Sequence, residues 1–455
     1  MANSTSLFAQ ILHMIPRTSF ERHVRETKAA RHSKGFSCWD QCVAMLFCQL
    51  AQAGSLREIQ DGLRVTHGKL NHLGLAQAPA VSTLAYANAH RPAALYERIF
   101  FDLVARCSQP QRGKKRRFRF KNKLLSLDGT MIELCLSLFP WAQYTTRKGA
   151  AKVHVLLDHA GYLPCFAVIG PAKTLSEIAV AKQLALPKGS IIAVDRGYCS
   201  FDLFHQWTQQ GVFFVTRMKR NTAYRVVEER SVPVRGGIRA DQSIEFTSAD
   251  GQAQAPGRYR RIVLWDADKQ EEIVFLTNHL TFGPTTIARI YKDRWEIELF
   301  FKALKQNLKI KTFVGTTLNA LQIQIWTALI AMLLLKYLQF IATGELSLSR
   351  LIALLRLSLF TYRNLWEWLE NPFVTSDDPS PGQLALAKYR TDAAINSGSI
   401  LGRVVFGGNF ATTGLSDIRY GAAITGEADG AFTSASSVPT AIAFYTGDMG
   451  RTLNE

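Results

Sequence analysis

The sequence predicts an α/β fold in which a helical N-terminal region precedes a mixed sheet flanked by helices. Three observations carry that prediction. Apolar residues recur at helical spacing through the first hundred positions, apolar strand-type runs alternate with helical stretches from residue 124, and a block of short alternating strands at 219–280 precedes further helices.

N-terminal helices are expected at Leu7–Ile15, Cys38–Ala53, 55–63 and 81–107, with Ser55 and Glu58 at capping-box spacing. Short helices joined by Gly-containing turns and carrying Arg57, Arg64, His67, Lys69 and Arg91 suit a small DNA-binding bundle of helix-turn-helix type. A plain helical accessory domain has the same pattern. Residues 1–110 read as a helical N-terminal DNA-binding domain. The run "RGKKRRFRFKNK" (112–123) follows, either a basic arm suited to phosphate contacts or a solvated loop, and its alternating end leads into a strand.

Next, "LLSLDGTMIELCL" is strand-like, with "AKVHVLLD" and "LPCFAVIG" as antiparallel neighbours about a turn at His159–Gly161. "TLSEIAVAKQLAL" is helical with a capping box at Thr174 and Glu177, "SIIAVDRGY" is a buried strand ending in aspartate, and "SFDLFHQWTQQ" and "VFFVTRM" add a helix and a strand. Three strands, helix, strand, helix, strand is the order of a ribonuclease H-like sheet, which places the core at 111–218 and 281–315. Residues 219–280 read as an inserted β-subdomain and 316–387 as C-terminal helices, including a buried one at Asn319–Ala342. From 388 to 455 the chain turns to Gly, Ala, Ser and Thr with sparse charge; this tail weakly resembles β-rich phage tail-fibre material and points to a fused or frameshifted reading frame.

The formal net charge of +18, from 54 Lys+Arg against 36 Asp+Glu, favours a polyanionic partner, with nucleic acid ahead of a membrane surface. The apolar run Ile325–Leu335 is too short to span a bilayer, and "MANSTSLFAQILHMIPR" lacks the parts of a signal peptide. A cytoplasmic protein with no membrane partner is expected. The seven cysteines read as reduced thiols. Cys38, Cys42 and Cys48, with His32 nearby, raise a metal site, but no second Cys/His pair at zinc-type spacing follows, so core thiols are expected.

Two aspartates stand in chemically suggestive places. Asp128 lies within the apolar "LLSLDGT" and Asp195 ends "IIAVDRGY", where a lone buried carboxylate is costly unless paired or metal-bound. In "YKDRWEIELFFKALK" (291–305) a continuous helix brings Tyr291, Arg294, Glu298 and Lys305 within an arc of about 60°. Ile297, Phe300, Phe301, Leu304 and Leu308 form the core side. A solvated Glu–Lys face accounts for part of this stripe, though for neither the tyrosine nor the arginine. Asp128, Asp195 and Glu298 make a hard-oxygen set suited to Mg²⁺ or Mn²⁺, and two such ions roughly 3.5–4 Å apart serve phosphodiester chemistry.

"DGT" on a first strand, "DRGY" on a later one and the spacing Y-x2-R-x3-E-x6-K resemble the DDE transposases of insertion-sequence family four, the YREK group, over about residues 1–387. The resemblance implies Asp128, Asp195 and Glu298 as catalytic ligands of two Mg²⁺ ions, with Mn²⁺ able to substitute. It places Tyr291, Arg294 and Lys305 on DNA phosphates, with Lys302, Arg196 and Trp265 as further DNA-binding candidates. Its partners are transposon terminal inverted repeats and target DNA, held by a synaptic homodimer. The implied chemistry is 3′ nicking, hairpin formation by the freed 3′-OH, hairpin opening and strand transfer.

Hairpin-making relatives stack a flipped base on an aromatic of the insertion. Trp265 is the candidate, with core packing as the alternative, because the later strand "EEIVFLTNH" holds Phe275 and no tryptophan. His154 and Asp158 read as supporting groups, and Arg196 and Tyr198 as either DNA contacts or local packing. Two further readings stand beside the first: a ribonuclease H-like nuclease without strand transfer, and a DNA-binding remnant disabled by its altered C-terminus.

Overall fold

The computed structural model describes residues 5–31, 33, 35–66, 68–107, 118–310, 312–342 and 346–373, and the backbone of three strands between 400 and 446. Residues 112–117 of the basic run, His32, His67 and most of the tail expected at 388–455 lie outside the described residues. The chain divides into two compact units, Met1–Val374 and Thr375–Glu455.

The first unit opens with α1 (Leu7–His13), α2 (Arg17–Glu26), α3 (Cys38–Ala51), α4 (Leu56–Arg64), α5 (Val81–His90) and α6 (Ala94–Cys107). A full capping box starts α3: the Ser37 hydroxyl accepts from the Asp40 amide, and the Asp40 carboxylate accepts from the Ser37 amide. At α4 the Ser55 hydroxyl accepts from the Glu58 amide, whereas the Glu58 carboxylate turns to the Gly54 amide. The helix expected over 81–107 is two helices, because Pro92 drives Arg91 to extended backbone (φ −76°, ψ 135°). Sequence reading missed α2, whose buried face is little more than Ser19, Phe20, His23 and Val24.

The sheet begins with β1 (Leu124–Leu134), β2 (Gln143–Thr145), β3 (Lys148–Asp158) and β4 (Leu163–Pro171). It continues through α7 (Glu177–Lys182), β5 (Ile191–Val194), α8 (Phe201–Gln209) and β6 (Phe213–Arg217). Its order is β4-β3-β1-β5-β6, antiparallel among β4, β3 and β1 and parallel from β1 through β5 to β6, with β2 on the start of β3. This is the ribonuclease H-like arrangement that the element order predicts. The cap of α7 is Ser176 rather than Thr174: Ser176 accepts from the Ala179 amide, while Thr174 donates to the Pro171 carbonyl.

Residues 219–280 supply β7 (Tyr224–Glu229), β8 (Ile238–Phe246), α9 (Ala249–Gln254), β9 (Tyr259–Asp266) and β10 (Glu271–Thr277). They prolong the core sheet, since β10 pairs antiparallel with β6 and is followed outward by β9, β8 and β7. A buried bidentate pair clamps this extension: Arg260 donates to both Asp241 oxygens at 2.7 and 2.6 Å and also to the His279 and Phe282 carbonyls.

The remaining helices are α10 (Pro284–Asp293), α11 (Glu296–Asn307), α12 (Leu318–Ile341), α13 (Leu348–Ser358) and α14 (Leu365–Glu370). The 24-residue α12 is long and apolar enough to cross a membrane, yet 83% of its apolar window is buried, with α3, α5, α6 and β4 packed around it. Residues of the N-terminal helices, the sheet and α11–α14 thereby share one core. Gln49 ties them further, donating to the Gln324 carbonyl and accepting from the Lys309 amide. Cys38, Cys42 and Cys48 are buried in this core, and burial pushes the Cys42 and Cys48 thiols up to about 12, so both stay protonated at neutral pH.

Strand alternation sorts the sheet's two faces. Leu125 and Leu127 of β1 and Ile192 and Val194 of β5 pack with residues of α7 and α8, while Leu124, Ile191 and Ala193 pack with Ile287 and Ile290 of α10. Ser126, Asp128 and Asp195 have the parity of this second face. The second unit contributes β11 (Ile400–Asn409), β12 (Ile418–Ala428) and β13 (Thr440–Thr446), a three-stranded antiparallel sheet in that order.

Candidate active site

Asp128 and Asp195 meet because β1 and β5 run parallel in a register that pairs Leu127 with Val194. The two aspartates come next on adjacent strands, side by side at the same end of the sheet. Asp195 closes its strand by accepting the Gly197 amide at 2.8 Å, which caps a 3₁₀ turn at Arg196–Tyr198. Asp128 accepts the Gly129 amide at 2.7 Å. The glycine of "DGT" has a steric reason: it pairs with His154 of β3, and a Cβ there would lie 2.7 Å from the imidazole. Fully buried His154 is pushed down to about 4 by desolvation and is therefore neutral; its Nδ1 hydrogen-bonds the Tyr198 hydroxyl at 2.8 Å. Tyr198 is thus a packed residue beneath the site, and Asp158 pairs with Lys123 at 3.1 Å.

The continuous helix expected over 291–305 is broken. Arg294 and Trp295 are in αR conformation, but amides 294, 295, 297 and 298 bond to carbonyls three residues back, a 3₁₀ step between α10 and α11. The four residues nonetheless stay in sequence along one side: Arg294 lies over the Tyr291 ring and bonds Glu298, and Glu298 and Lys305 line the same cleft. Arg294 is directed inward and is 8% exposed; its Nη1 lies 3.2 Å from Asp128 Oδ2 and its Nη2 2.8 Å from Glu298 Oε1. Tyr291 is half-buried against Phe275, with the Arg294 guanidinium over its ring at 5.4 Å.

Glu298, Lys302 and Lys305 line a cleft of about 490 Å³ together with Asp128, Thr130 and Gln306. Lys305 also donates to the Met131 carbonyl at 2.9 Å. Arg196 is exposed beside Asp195. Trp265 sits on β9 at the same end of the sheet, with β5, β6 and β10 between it and β1, a lateral offset of roughly 19 Å. It is half-buried, and the Arg239 guanidinium covers its ring at 5.1 Å.

Burial raises the Asp128 carboxyl to about 6; the Gly129 amide and Arg294 pull it down, and the charges of Asp195 and Glu298 push it up. Among the described residues no three His, Cys, Asp or Glu side chains gather closely enough to enclose a metal ion. A guanidinium bridges two of the three carboxylates instead. Two of the three carboxylates already share one cation, and carboxylate oxygens are the donors a hard divalent ion of the Mg²⁺ class takes. The inward arginine escaped sequence reading, because the fold brings its partner Asp128 alongside from a strand far off in the sequence. The legible signal was the glycine after Asp128, which marks a close neighbour.

A ribonuclease H-like sheet with paired aspartates at adjoining strand ends and a glutamate on a covering helix defines a metal-dependent phosphoryl-transfer enzyme. A transposase DDE domain model matches residues 119–334, and a domain of unknown function (DUF4372) matches residues 3–76. A putative transposase of Sinorhizobium fredii (strain NBRC 101917 / NGR234) is 32% identical over 263 residues, 57% of this chain and 71% of the relative. A probable transposase for insertion sequence element IS5377 of Geobacillus stearothermophilus is 28% identical over 259 residues, 56% of this chain and 67% of the relative. The cryo-EM structure of a piggyBac transposase synaptic complex with hairpin DNA aligns at a TM-score of 0.41 and 10% identity, over 82% of this chain and 86% of that one, a loose likeness. The chain belongs to the DDE transposase family: it is an insertion-sequence transposase, an enzyme of DNA cleavage and strand transfer, acting on DNA with divalent metal.

Proposed function

We propose that Asp128, Asp195 and Glu298 bind two Mg²⁺ ions, replaceable by Mn²⁺, and that the protein moves its element by cut-and-paste through hairpin ends, in the manner of insertion-sequence family four. The observation that carries the site assignment is the register placing Asp128 beside Asp195, with Glu298 tied to Asp128 through one guanidinium. Bound there, divalent ions supply activation of the attacking oxygen and neutralisation of charge on the leaving one.

The chain's own groups do the positioning. Asp128 and Asp195 would hold the ions that receive the reacting phosphate at the sheet end. Lys302 and Lys305 in the cleft and Arg196 beside Asp195 hold flanking phosphates of the terminal inverted repeat. Arg294, bonded to Asp128 and Glu298, orients both carboxylates, and Tyr291 braces it. Hydrolysis breaks one P–O bond and frees a 3′-OH. That hydroxyl then attacks a phosphodiester of the opposite strand, exchanging one ester for another and closing a hairpin; water hydrolyses the hairpin ester and frees the 3′-OH again, which repeats the exchange on target DNA. Trp265, at the outer sheet but the same end, is the base-stacking candidate. We place residues 1–110 on the end sequence, two protomers in the synaptic complex, and the protein in the bacterial cytoplasm at the nucleoid.

Labelled duplexes carrying the element's ends, incubated with the protein and Mg²⁺ or EDTA, test this reading. Metal-dependent nicks, hairpins and joined strands are expected; nicks that never proceed to joined strands would leave a nuclease, and specific binding without any cut a remnant.

A further inference from the structure

Beneath the site lies a buried polar chain that no step above uses. Ser126 Oγ is 2.7 Å from His159 Nε2, His159 Nδ1 is 2.6 Å from Asp293 Oδ2, and the Tyr162 hydroxyl donates to the same carboxylate at 3.3 Å. Ser126 is fully buried, Asp293 is 4% exposed and the His159 side chain 6%. Ser, His and Asp in this order make an acyl-transfer relay elsewhere, but no substrate reaches a fully buried hydroxyl here. The two ring nitrogens of His159 thus face different partners, Nδ1 the Asp293 carboxylate and Nε2 the Ser126 hydroxyl.

The ends of this chain matter more than its middle. Ser126 lies two residues before Asp128 on the same face of β1, and Asp293 immediately precedes Arg294, whose guanidinium returns to Asp128. A closed ring results: Asp128, Arg294, Asp293, His159, Ser126 and back along the strand to Asp128. Its hairpin side is held in uncommon backbone, with Gly161 at φ 103° against Phe340 of α12 and Tyr162 at φ 55°. A non-glycine residue in the left-handed region persists where its surroundings over-determine it. The ring also closes at the 3₁₀ step that aims Arg294 and Glu298.

We infer that His159 and Asp293 are positioning residues, which lock the α10–α11 junction to β1 and so hold Glu298 and Arg294 against Asp128. The inference rests on the assignment of Asp128, Asp195 and Glu298 as the catalytic carboxylates.

The test uses the full chain on end duplexes at saturating protein, reading single-turnover cleavage, end affinity and the Mn²⁺ concentration for half-maximal rate. Asp293→Ala is expected to slow cleavage roughly 10- to 100-fold and raise the Mn²⁺ requirement, with end affinity unchanged, since small misplacements of reacting groups carry losses of that size. Asp293→Asn keeps an oxygen facing His159 Nδ1 and is expected to restore most of the rate. Should Asp293→Ala fail to fold, Ser126→Ala, which removes only the far hydrogen bond, carries the same expectation at smaller size. Wild-type rate and Mn²⁺ requirement in a folded Asp293→Ala or Ser126→Ala protein would overturn the inference, as would a loss confined to end affinity. Glu298→Gln runs alongside: if it still cuts, the carboxylate assignment has failed, whereas a dead Glu298→Gln with a fully active Asp293→Ala rejects the positioning role alone.

Discussion

Asp128 is charged only at a cost. Its carboxyl stands at about 6 against an ordinary 3.8, mainly through desolvation. A carboxyl raised on folding is favoured when protonated, so its contribution to stability is lost as pH rises from about 4 through about 6, and a penalty persists at neutral pH. A divalent cation relieves that penalty. Mn²⁺ should therefore raise the melting temperature at neutral pH, and the increment should shrink as pH falls through about 6, where protons compete for the same oxygen. Differential scanning fluorimetry with and without Mn²⁺ checks this, and an increment that persists unchanged in acid would contradict it. Gly129→Ala should destabilise by about 1–3 kcal/mol in urea titrations, because its Cβ meets a buried imidazole. The two aspartates were legible in sequence because carboxylates interrupt apolar strands there. Arg294 was read as facing DNA and lies inward, because Asp128 on β1 and Glu298 both draw its guanidinium, and a strand brought alongside by the fold leaves no mark on local spacing.

At the scale of elements, sequence pattern revealed strands and helices better than their joins. The break at Pro92 had a visible cause, since proline restricts the residue before it. The break at Arg294–Trp295 had none, because both residues stay in αR backbone and only their carbonyl partners change. Alternation marked the strands of 219–280, but their place at the edge of β6 depends on β10 returning to the core sheet, which local sequence does not encode. The Asp241–Arg260 pair ties β8 to β9, while Arg260 also holds the loop leading to α10. Asp241→Ala leaves a buried guanidinium without its counter-charge. A loss of about 3–5 kcal/mol is expected by thermal or urea unfolding, and a loss under about 1 kcal/mol would show the clamp to be idle.

Over the whole molecule, the first unit holds all three proposed carboxylates, Asp128, Asp195 and Glu298, which precede Val374. A chain ending at Val374 should therefore nick end DNA at a rate close to that of the full chain, and a tail required for cleavage would show as a lost nick. Helical and sheet regions were legible through periodicity, whereas the sharing of one core by the N-terminal helices and α12 was not, since an all-apolar helix does not name its neighbours. The central claim is that three carboxylates from β1, β5 and α11 do the chemistry. Its most direct test is Glu298→Gln on labelled transposon ends with Mg²⁺. The account predicts that cleavage is abolished while end binding stays within about twofold of wild type, and Mg²⁺-dependent nicking by the variant at the wild-type rate would contradict it.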